Sequence, residues 1–458
     1  MAAKKVAQED KVSVFHALKK RALFALQVLV AVALLAWVVN PSKEPRLFPE
    51  RIPVRFWHMW SGEWKDVVDK IVARFNASQS RYEVIALSVP SGSADQKLLM
   101  GVSGGDPPDV MAQWNQVIPA WAESGLLTPL DSLMTPNEWE ELQATAYPVA
   151  LKIGRYQGHL YGLTTGVNVF ACYYRPDHLA AQGARTFPAT LEELTELGSK
   201  LTRLDEKGQI TRMGFMPMGF NIYAPIFGGG FFDRTRNALT LNTPENLRAL
   251  TFLAESRGRY GYEQVVKFES SLNTGGFAIE WPFISGQYSV TVDGQWRVEQ
   301  LAKYAPELKY ATAPIPPPQG GRTLAGFANG NFMIIPKGAR EARGAFEFVK
   351  FWSGVDQPER AAEFYTWGGW LPLSPKIAQT PVYKAYVKQY PQFQTFLDLL
   401  ASENIQPTAP VPFQVLLTDR LTRTEEAAVR GTATPKAALL ALEVDIQREL
   451  ERRKRFGL

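Results

Sequence analysis

The stretch Val54-Arg-Phe-Trp-His-Met-Trp-Ser-Gly-Glu-Trp64-Lys-Asp-Val-Val68-Asp-Lys-Ile71-Val72-Ala-Arg-Phe75-Asn76 changes its periodicity part-way along. Val54–Trp57 reads as a strand. From Trp64 to Asn76, the apolar residues Val68, Ile71, Val72 and Phe75 fall on one helical stripe. The alternation continues outward: Tyr82–Leu87 has strand character, Ser93–Ser103 reads as helix and Pro108–Gln113 as strand. Strands alternating with helices predict an α/β fold, a mostly parallel sheet with helices on both faces.

Farther along, helix starts are marked by their caps. Thr190-Leu-Glu-Glu193 is a capping box, and Thr243-Pro244 and Thr434-Pro435 place Pro at the first helical position. Gly354 looks like the stop of a helix from Ala339 to Ser353, and Asp356-Gln-Pro-Glu359 like the start of the next. Pro314–Gly321 reads as a stiff-then-flexible connector suited to an inter-lobe crossing.

The 458 residues suffice for two or three domains, and 46% hydrophobic with 21% charged residues excludes wholesale disorder. Twelve Trp are more than cores alone demand, and they point to flat ligands as well. The net charge of +5 sits at the two ends: residues 1–21 hold six Lys/Arg and the tail from Arg448 five, leaving the body slightly acidic. A nucleic-acid partner is therefore not expected. Cys172 is the single cysteine, so no intrachain disulfide forms and no lipid-acceptor cysteine lies near the N-terminus.

Ala22–Val39 contains no charge and only Gln27 as a polar residue, directly behind Lys19-Lys20-Arg21. Such a run, about 27 Å long as a helix, matches a bilayer core, and the basic flank places 1–21 in the cytoplasm and the rest outside. The expectation is an uncleaved signal anchor at 22–39 followed by a linker at 40–51. Cleavage, releasing a soluble periplasmic form, is the alternative.

Catalytic signatures are missing. His16, His58, His159 and His178 have no metal-ligand spacing, and no metal or cofactor is expected. Gly101-Val-Ser103-Gly-Gly105 fits G-x-S-x-G, but a helical pattern precedes it and Asp106-Pro107-Pro108 follows, which is no nucleophile elbow. Gly228-Gly229-Gly230 lacks the Lys and Ser/Thr of a phosphate loop.

From Val54 to Leu442 the chain resembles the extracellular solute-binding protein family 1 of ABC importers, the group that includes maltose-binding proteins. The order and spacing of several segments carry the resemblance. They are Trp57-His-Met-Trp60-Ser-Gly62, Phe75-Asn76, Gly105-Asp-Pro-Pro-Asp109-Val and Trp121-Ala-Glu-Ser-Gly125-Leu-Leu-Thr-Pro-Leu130. Leu160-Tyr161-Gly162 with Tyr173-Tyr174-Arg-Pro-Asp177 and Pro188–Leu194 come next, then Val292-Asp-Gly294-Gln-Trp296 and Gly330–Lys337 with Ala345–Trp352. Thr164-Thr165 stands where that family usually has Pro.

The resemblance implies a two-lobed periplasmic-binding-protein fold of type II, without enzymatic activity, that closes on a small ligand and hands it to ABC permease subunits. One lobe is expected at 50–166 plus 326–366 and the other at 167–325 plus 367–458. Ligands of open α/β sheets sit beyond the carboxyl ends of strands. That rule selects Trp60, Ser61, Trp114, Asn115 and Asn168 on one side. Opposite them it selects Asn221, Tyr223, Trp281, Gly294 and Trp296, with Asn329, Trp367 and Trp370 near the crossings. Indole faces beside amide groups suit a sugar. A membrane-anchored sensor or scaffold partner and an exported glycoside hydrolase are the alternative functions.

Overall fold

The computed structural model describes residues 27–31, 46–272 and 280–457. Of the expected span at 22–39, only Gln27–Ala31 are among them, and these are helical; the remainder lies outside the described residues. No helix among the described residues is long and apolar enough to cross a membrane. The chain separates into Met1–Arg51 and Ile52–Leu458, and the second unit is described below.

The opening segment forms as its pattern demands. In β1 (Ile52–His58), Val54, Phe56 and His58 are buried in alternation. The helix α1 (Gly62–Ser78) buries Val68, Ile71, Val72 and Phe75, the anticipated stripe. Next come β2 (Tyr82–Ser88), α2 (Ser91–Ser103) and β3 (Val110–Trp114), with β2 and β3 each parallel to β1. Ser103 ends α2, so the G-x-S-x-G sequence is a helix terminus.

Beyond α3 (Pro148–Gly154), the thirteen-residue strand β4 (Gly162–Tyr174) begins the central seam. The chain then runs through α4 (Leu191–Leu201), α5 (Phe220–Ile226), the hairpin strands β5 (Phe232–Asp233) and β6 (Ala238–Leu239), and α6 (Pro244–Gly258). It continues through β7 (Val290–Gly294), α7 (Trp296–Tyr304) and β8 (Ala311–Ala313) to β9 (Gly326–Ile334). Helices α8 (Ala342–Ser353), α9 (Pro358–Gly368), α10 (Pro381–Gln389) and α11 (Gln394–Ala401) precede the short β10 (Ile405–Pro407). Helices α12 (Gln414–Val429) and α13 (Pro435–Arg455) finish the chain. The Thr190–Glu193 capping box is present, and Thr243 and Thr434 cap their helices. Gly354 takes the left-handed conformation that closes α8. The start expected at Asp356–Glu359 is realised by Pro358 in the first turn of α9, without a side-chain cap.

The sheet order is β7-β4-β9-β3-β1-β2, with β8 also on β4 and β10 on β9. The expected mostly parallel sheet is instead mixed. β9 pairs antiparallel with both β3 and β4, and β7 and β8 pair antiparallel with β4. The reason is the long pair β4 and β9, which run past each other in opposite directions. Their register slips between Asn331 and Phe332, opposite Gly166 and Thr164, leaving Thr165 as a bulge. Both threonine hydroxyls donate to the Asn331 carbonyl, at 3.3 and 3.1 Å, which is what Thr164-Thr165 supplies in place of Pro.

Two large cores flank the seam. The first gathers Val54, Phe56, Val110, Leu163, Phe332, Phe346 and Trp352; the second holds Leu194, Tyr223, Leu250, Leu417 and Leu439. Residues on both sides of the division expected at 366/367 share the first core. Leu371, Tyr383, Phe396 and Leu400 belong to the first core, together with Tyr173, Phe283 and Leu301 from the expected second lobe. Within Pro314–Gly321, Ile315 is buried in the second core, and the Leu191 amide donates to the Pro317 carbonyl.

His58 is 1% exposed, between Phe56 and Trp60, and neither ring nitrogen has a hydrogen-bond partner. Burial pulls its pKa down to about 4. The unfolded chain, with a pKa near 6.5, therefore binds the proton first. His58 costs nothing above pH 6.5, and stability falls as pH drops from 6.5 towards 4, by about 3 kcal/mol in all. Urea unfolding at pH 7 and pH 4.5 will show a larger acid loss in the wild type than in His58→Leu; equal losses would refute this.

Candidate functional site

A cavity of about 730 Å³ opens where the carboxyl end of β3, the seam strand β9 and the segment around β10 meet α5, α12 and the β5–β6 hairpin. Trp114, Asn115, Asn221 and Asn329 line it. Asn115 is buried, with Nδ2 donating to Thr408 Oγ1 at 2.8 Å and Oδ1 accepting the Gly330 amide at 3.0 Å. Behind the wall, Asn168 Nδ2 donates to Asn329 Oδ1 at 3.1 Å, and Asn168 Oδ1 accepts from Gln295 Nε2 at 2.9 Å. Amides suit this position because each both donates and accepts, so they chain. Trp114 is 37% exposed, and its indole is free to lie against a ligand.

The remaining expected site residues are placed elsewhere. Trp60 and Trp370, each 7% exposed, form a three-ring cluster with the fully buried Trp352, every pair of rings 5.7–5.9 Å apart. They pack in the first core and do not line the cavity, although one lies past a strand end and the other beside a Gly-Gly turn. Tyr223 is fully buried in the second core, its hydroxyl without a hydrogen-bond partner. Ser61 is exposed at the start of α1 and makes no side-chain cap.

A second cluster surrounds the end of β7. Trp281 lies edge-on to Tyr173 at 5.4 Å, with the Arg297 guanidinium 4.5 Å over its ring. Trp296 meets Phe170 edge-on at 5.9 Å, and Gly294 lies under the Trp296 ring, where a side chain would collide. The Asp293 carboxyl is raised by burial, against the pull of Arg297 Nε at 2.8 Å. Trp367 lies on a separate shallow groove, its ring capped by Lys70 at 3.5 Å.

Sequence reasoning missed several cavity residues: Gln116, Arg234, Arg322, Phe327, Gln406 and Thr408. One signal was available. Gly228-Gly229-Gly230 forms part of the cavity wall because backbone must pass where side chains cannot. Gly230 (φ 139°) abuts Gln406, and a Cβ at Gly229 would strike Asn246. Asn246 is fully buried and locks this loop. Its Oδ1 accepts the Gly230 amide at 2.9 Å, while Nδ2 faces the carbonyls of Gly230, Thr240 and Leu241 at 2.8–2.9 Å.

With this fold and cleft, the molecule is a two-lobed α/β protein of the periplasmic-binding type. Among solved structures it is similar to CpMnBP1 with mannotriose bound (TM-score 0.74, 24% identity, covering 86% of this chain and 99% of that one). It is also similar to the sugar-binding protein MalE from the phytopathogen Xanthomonas citri (TM-score 0.72, 22% identity, 88% and 99%). Residues 70–395 match the family described as bacterial extracellular solute-binding protein, and the chain belongs to that family. Its members are binding proteins and not enzymes. Among curated relatives, the maltotriose-binding protein of Pyrococcus abyssi is 22% identical over 78% of this chain and 73% of its own length. The sn-glycerol-3-phosphate-binding periplasmic protein UgpB of Escherichia coli K12 is 21% identical over 84% and 90%.

Asn246→Asp tests the loop lock. It keeps shape but turns the donor into an acceptor facing three carbonyls, and should destabilise by about 2 kcal/mol or more. Equilibrium urea unfolding measures it; a loss below about 0.5 kcal/mol would mean that the loop does not depend on this amide.

Proposed function

We propose that the chain is the extracytoplasmic receptor of an ABC importer, taking a carbohydrate into the cleft beside Trp114 and delivering it to the permease subunits. The observation that carries this reading is the composition of the cleft: amides drawn from the seam and from both sides of it, around one accessible indole. A cavity of about 730 Å³ is within the usual range for a small-molecule site. Sugars offer a C–H face for stacking and hydroxyls that need both donors and acceptors. The relatives' names, which concern maltotriose and glycerol phosphate, support a polyhydroxylated ligand.

In this reading Trp114, Asn115, Asn221 and Asn329 touch ligand, and Asn168 orients Asn329. The lobes divide along β4 and β9, with the final return near β10. Ala22–Val39 anchors the receptor in the cell membrane with its body outside, a claim that depends on the apolar run alone. N-terminal sequencing of exported protein decides it: a first residue beyond Val39 removes the anchor and leaves the receptor.

A thermal-shift screen over mono- and oligosaccharides identifies the ligand, because binding to the folded state alone raises the melting temperature. Trp114→Ala should then weaken that ligand by about 5- to 150-fold, the equivalent of about 1–3 kcal/mol of lost stacking, with an unchanged melting temperature. Trp370→Ala should do the reverse, lowering stability by about 3–5 kcal/mol through the hole left in the core. Calorimetric titration of both variants checks this. Full affinity in Trp114→Ala would overturn the placement of the site.

A further inference from the structure

The β5–β6 hairpin turns through residues 234–237 at the mouth of the cavity. Two arginines project from that turn, and they are engaged very differently. Arg236 Nε pairs with Asp233 Oδ2 at 2.6 Å, so each neutralises the other. Arg234 has no carboxylate within ion-pair distance among the described residues. Its one hydrogen bond there is a long one, 3.4 Å, to the Lys152 carbonyl in the last turn of α3. A guanidinium carries five N–H donors in a fixed fork, so most of its capacity is unused.

The surrounding charges sharpen the asymmetry. Glu425 is committed, accepting the Gly219 and Phe220 amides at 3.0 and 2.7 Å. Glu245 sits in the first turn of α6, where the helix dipole holds a carboxylate. Glu403 is exposed at the rim. On the other side, Lys152 and Arg322 line the cavity and, like Arg234, make no ion pair among the described residues. Arg234 is exposed at the cavity mouth, so its unused donors are open to an anion that arrives from solvent.

We propose that Arg234 is the recognition group for an anionic substituent, a carboxylate or a phosphate, on the ligand of this cleft. The inference rests on the carbohydrate-receptor reading and narrows it to acidic or phosphorylated ligands. Arg234 forks onto the anion from the hairpin while the seam amides hold the hydroxyls, and Arg322 and Lys152 add favourable potential. The fork geometry favours bidentate contact to a planar carboxylate or to two phosphate oxygens.

The test is calorimetric titration of the full chain in mild detergent with acids and their neutral parents. Glucuronate and digalacturonate represent the carboxylate, glucose 6-phosphate and glycerol 3-phosphate the phosphate; glucose, galactobiose and glycerol are the parents. At least one acid should bind about tenfold or more tighter than its parent, and added salt should erode that preference. In Arg234→Gln the preference should collapse to about twofold at an unchanged melting temperature. Arg234→Lys, keeping charge but losing the fork, should retain more preference for phosphate than for carboxylate. Neutral parents that bind as tightly as every acid, or an Arg234→Gln that keeps the preference, would overturn this inference and leave the receptor reading standing. No binding by any acid, parent or maltotriose would overturn both.

Discussion

Antiparallel pairing between Gly162–Tyr174 and Gly326–Ile334 is the constraint on which the rest of the structure depends. These strands pass each other in the middle of the sheet, one side carrying the parallel β3-β1-β2 set and the other β7 and β8. Backbone hydrogen bonds fix Asn329 opposite Asn168, and a slip of one residue would put the two amides on opposite faces of the sheet. The slip that does occur, at Thr165, lies beyond these asparagines and is absorbed by hydroxyls on the Asn331 carbonyl. Register thus sets the chemistry of the cleft before any ligand is present.

The cleft follows from that register and from two places where backbone replaces side chain. Gly330 has its amide on Asn115, and a Cβ there would meet the Gly166 carbonyl. Gly228–Gly230 lets the hairpin loop approach Gln406 and be held by Asn246. Asn246 spends its side-chain amide on main chain, while Asn115 accepts one main-chain amide and donates to the Thr408 hydroxyl, and both tie down the backbone beside them. Rigid walls lower the ordering cost that a ligand must meet on binding.

Local features were legible in the sequence because they depend on a few neighbouring residues. The strand-to-helix change at Val54–Asn76, the caps at Thr190, Thr243 and Thr434 and the left-handed Gly354 are all set within one or two turns. The mixed sheet was not legible, since strand direction is decided by how β4 and β9 meet across more than 150 residues. The candidate cavity was legible in part: the sequence reading named Trp114, Asn115, Asn221 and Asn329, which line it, and also Trp60, past a strand end, which packs against Trp352 in the core. Burial of an indole is decided by what lies opposite, and Trp352 and Trp370 come from a helix and a turn about 300 residues away. Thr408 is equally distant from the Asn115 it meets.

The contacts on the two sides of the seam differ in kind, and that difference bears on motion. Away from the cavity, the packing is apolar: Phe396 against Tyr173 at 5.7 Å and Tyr310 against Tyr173 at 5.9 Å, with the Thr312 hydroxyl donating to the Gln392 carbonyl beside them. On the cavity side the joining contacts are polar and few, such as Arg234 to the Lys152 carbonyl and Asn115 to Thr408. Polar contacts exchange for water at small net cost, while separating packed aromatic rings exposes apolar area. An opening motion therefore spends least free energy by widening the cavity while β4, β8 and α11 stay packed. Such a motion also gives Arg234 a reason to be placed where it is: contact with Lys152 is weak enough to yield when the cavity widens, and an anion held by the fork would favour the narrow form by the difference.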